Sequence, residues 1–166
     1  MRTLGPFLAS TVERSVRCTE TLPVPAWSIW CELRHLEAVY PNFKNWYWDK
    51  VVPGVPLRNR RIFVSMDNGQ ISGILIAKKQ SEKKICTVWV PPKFRRRSVA
   101  RDLMKNAITW LETPYPLFTV PDERMSEFSK LTDFFGFERG EVAVDFYGHG
   151  RIEHTFNGSL MPPFHA

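Results

Sequence analysis

Val88-Trp89-Val90-Pro91-Pro92-Lys93-Phe94-Arg95-Arg96-Arg97-Ser98-Val99-Ala100-Arg101 is the stretch on which the fold turns. A short apolar strand runs into a loop of three consecutive arginines, and the loop opens an amphipathic helix. Backbone N–H groups left unpaired at a helix start, with arginines around them, make a place for phosphate. The first question is whether that phosphate belongs to a cofactor or to a nucleic acid.

Downstream, Ser98 is a suitable N-cap for a helix from Val99 to about Glu112. Val99, Leu103, Ala107 and Leu111 line its apolar stripe, with Met104 and Ile108 beside it. Thr113-Pro114-Tyr115-Pro116 breaks that helix. Leu117 to Val120 reads as a strand. Arg124 to Phe135 reads as a helix with Met125, Phe128, Leu131 and Phe135 inward and Gly136 as its C-terminal cap. Val142 to Tyr147 and Arg151 to Phe156 read as a closing hairpin around Gly148-His149-Gly150.

Upstream, Arg61 to Met66 and Ile71 to Ala77 flank Asp67-Asn68-Gly69, a strong hairpin signal. The polar turn Lys78 to Lys83 leads to a third strand, Ile85 to Val90, which completes an antiparallel meander. Before the meander, Trp27, Trp30, Leu33, Leu36 and Tyr40 recur at helical spacing from Ala26 until Pro41. Residues 42 to 54 read as a second short helix. Residues 1–24 carry no clear period and are expected to be a poorly ordered lead-in or a late-added strand. The tail after Gly158 is expected to be loose.

The strand–helix–strand passage in the middle demands one parallel pairing. The expected fold is therefore α/β: a mixed, mostly antiparallel sheet of about six strands flanked by about four helices. The domain runs from residue 25 to 158, with a lead-in (1–24) and a tail (159–166).

The bulk numbers agree with one domain: 166 residues, 43% of them hydrophobic, are enough for a real core. No stretch is long and apolar enough to span a membrane, and no convincing signal peptide precedes the domain. Three cysteines show no metal-ligand spacing and cannot all pair, which points to a reducing, cytoplasmic setting and to no metal. A net charge of +6 favours anionic partners.

The order of elements, with the arginine loop where it stands, resembles the GNAT family of acetyl-CoA-dependent N-acyltransferases. The family signature is a strand ending in Val-x-Pro, then Gln or Arg, two variable residues, Gly, one variable residue, and Gly or Ala. Arg95 and Ala100 match, while Ser98 stands where glycine is usual and Arg96 where many members also have glycine. A second landmark is Phe135-Gly136-Phe137. The resemblance covers about residues 26 to 156.

The resemblance implies a GNAT fold with acetyl-CoA as co-substrate. Val88, Trp89 and Val90 would hold the pantetheine arm. Arg95, Arg96, Arg97, Ser98, Val99, Ala100 and Arg101 would hold the phosphates, with Arg96 in reach of the 3′-phosphate. It also implies transfer of an acetyl group to a primary amine carried by a protein, a small molecule or a charged tRNA. Contact with RNA and a homodimer fit this reading, and a membrane partner does not.

The family's usual tyrosine acid, four residues before the Gly of Gly-Phe, is Thr132 here, and its asparagine near the start of that helix is Met125. The catalytic candidates are thus Thr132, through water, and Tyr147. His149, His154 and Glu153 are possible bases. His154 shares a strand face with Ile152 and Phe156, and Glu153 faces the other way. Glu82 and Glu123 carry no special signal. The aromatic segment Trp27 to Trp48 falls where the acceptor site lies in the family. Trp46, Tyr47 and Trp48 are consecutive, so at least one must be exposed or meet a ligand. The alternative is a non-catalytic GNAT-like module that binds nucleic acid or acyl-CoA, with Lys93 joining the arginines on phosphates.

Overall fold

The structure, a computed structural model, describes residues 15–17 and 22–160. Most of the lead-in and the end of the tail therefore lie outside the described residues. Of the lead-in, residues 22–24 and a three-residue strand, β1 (Ser15–Arg17), are described; β1 lies antiparallel on the strand that follows the first helices.

Helix α1 (Ala26–Leu33) tightens into a 3-10 turn over Arg34–Ala38. The single helix expected up to Tyr40 therefore ends seven residues early as an α-helix. Its apolar stripe is centred on Ile29, Trp30 and Leu33, all buried. Trp27 falls to one side of that stripe and is 64% exposed, contrary to the inward position its spacing suggested; it stacks on Trp48 at 5.8 Å. Helix α2 (Phe43–Trp46) continues through a π turn, Tyr47–Val51, into α3 (Val52–Gly54). Successive residues on a helical turn point about 100° apart, so the three consecutive aromatics diverge. Tyr47 is fully buried and donates to the Ala26 carbonyl at 2.7 Å, whereas Trp46 and Trp48 remain partly open.

The meander follows: β2 (Arg60–Asp67), β3 (Gln70–Lys79) and β4 (Lys83–Trp89). Asn68 and Gly69 both take positive φ, as a two-residue hairpin turn with the strands' own twist requires. Helix α4 (Val99–Leu111) crosses over to β5 (Leu117–Pro121), which pairs parallel to β4. Helix α5 (Met125–Phe134) leads through Gly136, at φ 64°, to the hairpin of β6 (Arg139–Val144) and β7 (Ile152–Phe156). β6 begins three residues earlier than its alternation suggests and ends at Val144, so Tyr147 belongs to the turn and not to the strand.

The sheet order is β1-β2-β3-β4-β5-β7-β6, mixed and mostly antiparallel. It is the expected architecture with β1 as a seventh, short strand. Alternation along β2 divides the core. Phe63 joins Leu75, Ile85, Phe118 and the α4 stripe on one face, and Ile62 and Val64 join Ile29, Leu33 and Tyr47 on the other. Gly73 in β3 has no side chain because α4 lies against it: a Cβ there would sit 2.5 Å from Val99 Cγ1 and 2.9 Å from Leu103 Cδ1.

Candidate active site

β4 and β5 are paired only at Lys84↔Leu117 and Ile85↔Phe118. Beyond that point β4 stays with β3 as far as Trp89, and β5 stays with β7 as far as Pro121. The two strands part like a wedge. Main-chain groups along the Thr87–Val90 side of the opening have no β5 partner, and an extended amide-bearing chain suits such a gap. The Trp89 ring packs against the α1 side of the sheet, and its indole Nε1 is buried with no partner among the described residues.

Beside the wedge, Pro91 and Pro92 end β4 and a 3-10 turn, Pro92–Phe94, anchors the arginine loop through buried Phe94. Arg96 and Ser98 both adopt φ 61°. The chain thus keeps the left-handed geometry that glycine normally supplies, with side chains in place of hydrogens. Ser98 occupies the N-cap position and its carbonyl accepts from Asp102 N at 3.0 Å, but its hydroxyl makes no capping bond. The expected cap is absent because an N-cap side chain reaches back to the helix from an extended backbone, and Ser98 is left-handed.

The loop cations are not equivalent. Arg95 donates from Nε to the Val90 carbonyl at 3.0 Å, stacks over the Trp89 ring and meets Glu127 at 3.5 Å. Arg97 reaches Asp67 at 3.8 Å, and Arg101 lies over the Phe134 ring. Lys93 bonds Gln70. Arg96 is exposed and forms no ion pair among the described residues. Val99 is buried and Ala100 packs against the core, so both offer their backbone and not their side chains.

The face of the sheet that carries α1 and α2 holds a cleft of about 1050 Å³, walled by Tyr40, Phe43, Trp46, Thr119, Phe146 and Tyr147 and floored by Lys84. Tyr147 is placed by the β6–β7 turn. Arg151 fastens that turn by donating to Glu123 Oε1 at 2.7 Å and to the Ala38 carbonyl at 3.1 Å. Lys84 Nζ donates to the Tyr147 hydroxyl at 2.6 Å, and the Tyr147 ring meets Tyr40 edge-on at 5.5 Å. The Tyr40 hydroxyl donates to Glu153 Oε1 at 3.3 Å.

Glu153 is 1% exposed, and its Oε2 has no partner. Burial lifts its pKa to about 7, against the smaller opposing effect of the Tyr40 hydrogen bond. Burial likewise pushes the Tyr40 hydroxyl well above the ordinary tyrosine range, so it remains a donor. Burial would lower Lys84, but its neighbours, Tyr147 first, outweigh it, and Lys84 is held above its ordinary value as an ammonium.

Of the sequence-level candidates, Tyr147 lines the cleft, and Glu153 lies buried behind its wall, bonded to Tyr40. Thr132 does neither. It is buried in α5, which packs on the opposite face, and its hydroxyl donates to the Ser129 carbonyl at 2.9 Å within its own helix. His149 is fully exposed on the turn. His154 lies 2.6 Å from Asp122 and, through its register with Val120, on the face away from Glu153. Met125 packs against the α4 core. Sequence reasoning passed over Lys84 and Tyr40. Tyr40 read as the last member of a helix stripe, and Lys84 fell between the polar turn ending at Lys83 and the strand beginning at Ile85. A weak signal existed in the lysine's position one residue inside an apolar strand.

Among the described residues no group of three His, Cys, Asp or Glu is arranged to hold a metal, and no helix is long and apolar enough to cross a membrane. Residues 25–124 match the family model of the acetyltransferase (GNAT) family. That span contains the meander, the arginine loop, α4 and β5. Solved structures share the architecture at low identity. A GNAT-family protein from Desulfovibrio desulfuricans superposes with a TM-score of 0.70 at 11% identity, over 87% of this chain and 97% of that one. Ard1 from Thermoplasma volcanium gives 0.65 at 17% identity, over 87% and 96%. A Bacillus subtilis acetyltransferase in complex with CoA gives 0.60 at 12%, over 89% and 100%. No curated protein matches the sequence.

Proposed function

The chain belongs to the acetyltransferase (GNAT) family, and from that premise we propose that it moves an acetyl group from acetyl-CoA to a primary amine. The observation that carries the reading is the parting of β4 from β5 next to a cleft whose wall residue Tyr40 is bonded to Glu153, a buried carboxyl group titrating near neutrality.

The residues present fit acetyl-CoA. The backbone of Val88, Trp89 and Val90 has no β5 partner and suits the pantetheine arm, with the Val90 carbonyl already accepting from Arg95. The loop from Arg95 to Arg101 suits the phosphates. Exposed Arg96 forms no ion pair among the described residues, and the α4 start contributes amides without an intrahelical partner. When bound, acetyl-CoA supplies the activated acetyl thioester.

The chain's own groups supply the rest. An amine attacks only as the free base, so a proton must leave it. Glu153 is the group to take it once the amine or one water reaches its buried, unpartnered Oε2 behind Tyr40. Tyr40 is a positioning residue: its hydroxyl bond fixes Oε1, while Oε2 is buried with no hydrogen-bond partner among the described residues. Tyr147 accepts its hydrogen bond from Lys84, so its own hydroxyl hydrogen is available to a leaving group. These assignments give Tyr147 the acid role that Thr132, turned into its own helix, is badly placed to fill.

Calorimetric titration with acetyl-CoA tests the reading; absence of binding at millimolar ligand would overturn it. The non-catalytic alternative has less behind it. Arg95 and Arg97 are partly neutralised by Glu127 and Asp67, which weakens the loop as a grip on nucleic acid. A gel shift with RNA that persists under saturating CoA would restore that alternative.

A further inference from the structure

Three cations stand in one row across the sheet. Arg60 in β2 is the register partner of Lys78 in β3, and Lys78 is the partner of Lys84 in β4. All three line the cleft. Like charges directly opposite one another on adjacent strands repel, so the row is a local cost unless anions offset it.

The protein offsets only one of the three. Lys78 is bound to Glu82 at 2.9 Å. Arg60 directs Nη1 at the Cys86 sulfur, 3.8 Å away, and burial pushes that thiol's pKa up, so it is a neutral partner. Lys84, 8% exposed, has the Tyr147 hydroxyl as its hydrogen-bond partner and no carboxylate within ion-pair distance among the described residues. Among the described residues neither the buried Lys84 ammonium nor the Arg60 guanidinium has an ion-pair partner, the cleft's Glu82 being bound to Lys78, and the two form a place built for an anion from outside.

We propose that the acceptor is a small amine that carries a carboxylate or phosphate at the far end of an apolar or aromatic body. This rests on the acetyl-transfer reading above and names the acceptor class. The Arg60–Lys84 end receives the anion, and the Tyr147 hydroxyl beside Lys84 offers it a further hydrogen bond. Phe43 and Trp46 wall the body. The amine points at the Tyr147–Tyr40 pair, behind which Glu153 is buried as the hydrogen-bond partner of Tyr40. The two tyrosine rings, 5.5 Å apart, stand between the cation and the carboxyl group. An acceptor whose anion sits on the carbon next to its nitrogen is too short to reach both ends, so simple α-amino acids are disfavoured.

The test is a matched series with acetyl-CoA: para-aminomethylbenzoate, benzylamine, phenylglycine and para-aminomethylphenylphosphonate. Acetyl transfer is followed by CoA release, and binding of each amine to the acetyl-CoA-loaded protein is followed by calorimetry. The expected result is a kcat/KM for para-aminomethylbenzoate or its phosphonate about 10- to 100-fold above that of benzylamine and phenylglycine. The better of the two long anions tells a carboxylate from a phosphate. The preference should fall to within about 3-fold in Arg60→Met and in Lys84→Met, with unchanged acetyl-CoA affinity in each variant as the check of folding.

Benzylamine equal to or better than the anionic amines in both readouts, or a preference that survives both substitutions, would overturn the inference. Binding preference without transfer to any amine would remove the acetyl-transfer reading and leave the anion site standing.

Discussion

The hydroxyl of Tyr40 donates to Oε1 of Glu153 across 3.3 Å, joining residues 113 apart in sequence. One end of the carboxyl group is thereby fixed, and the other, Oε2, has no partner. With Glu153 titrating near 7, kcat/KM should rise with pH through that value as the carboxylate forms. Glu153→Gln should cost about 10²- to 10⁴-fold in rate and abolish this limb. Tyr40→Phe removes a bond that favours the carboxylate, so its limb should move to higher pH. Initial-rate pH profiles at saturating acetyl-CoA check both.

The same raised pKa makes stability depend on pH. Unfolded, Glu153 titrates near its ordinary 4.5, and folded it titrates near 7. Between those values the folded state binds more protons, so this group's contribution is fullest below about 4.5 and declines as pH rises to about 7. Glu153→Gln should flatten that decline, by about 2 kcal/mol after allowance for solvent screening at the cleft. Urea melts of both proteins at pH 5 and pH 8 measure it.

Arg96 and Ser98 hold left-handed backbone geometry that costs a residue with a side chain about 1–2 kcal/mol relative to glycine. Glycine's greater entropy loss returns part of this. Ser98→Gly and Arg96→Gly should each therefore stabilise the protein by up to about 1 kcal/mol in urea titration. Acetyl-CoA affinity should separate them. Ser98→Gly leaves it level or improved, whereas Arg96→Gly weakens it and reduces its salt dependence, because a cation is lost.

Gly73→Ala should destabilise by about 1–3 kcal/mol, because its methyl group would press on Val99 and Leu103 at the start of α4. The strain falls at the residue following the arginine loop. Calorimetry should accordingly show weaker acetyl-CoA binding, although Gly73 lies on a strand outside the loop.

Local signals carried much of the architecture. The α4 stripe of Val99, Leu103, Met104, Ala107 and Leu111 is buried as its spacing requires. Asn68-Gly69 turns the β2–β3 hairpin, and Gly136 ends α5 at positive φ. These features depend on neighbours within a few residues. The cleft does not. Lys84 meets Tyr147 across 63 positions, and Tyr40 meets Glu153 across 113. Such encounters depend on strand register and on where a turn begins. The bulge between Arg139 and Val142 moved β6 and left Tyr147 in the turn. Trp27 misled for a related reason: spacing gives a helix its stripe but not the stripe's exact centre.

A sheet whose two middle strands part after two paired residues is an unfinished zipper. The ligand that lies in the gap would act as a temporary interior strand and join the two halves of the sheet mechanically. Occupancy would then be felt as stiffness far from any phosphate. Amide exchange along β4 and β5 should slow together when acetyl-CoA binds, so the molecule reports its loaded state through the rigidity of its own centre.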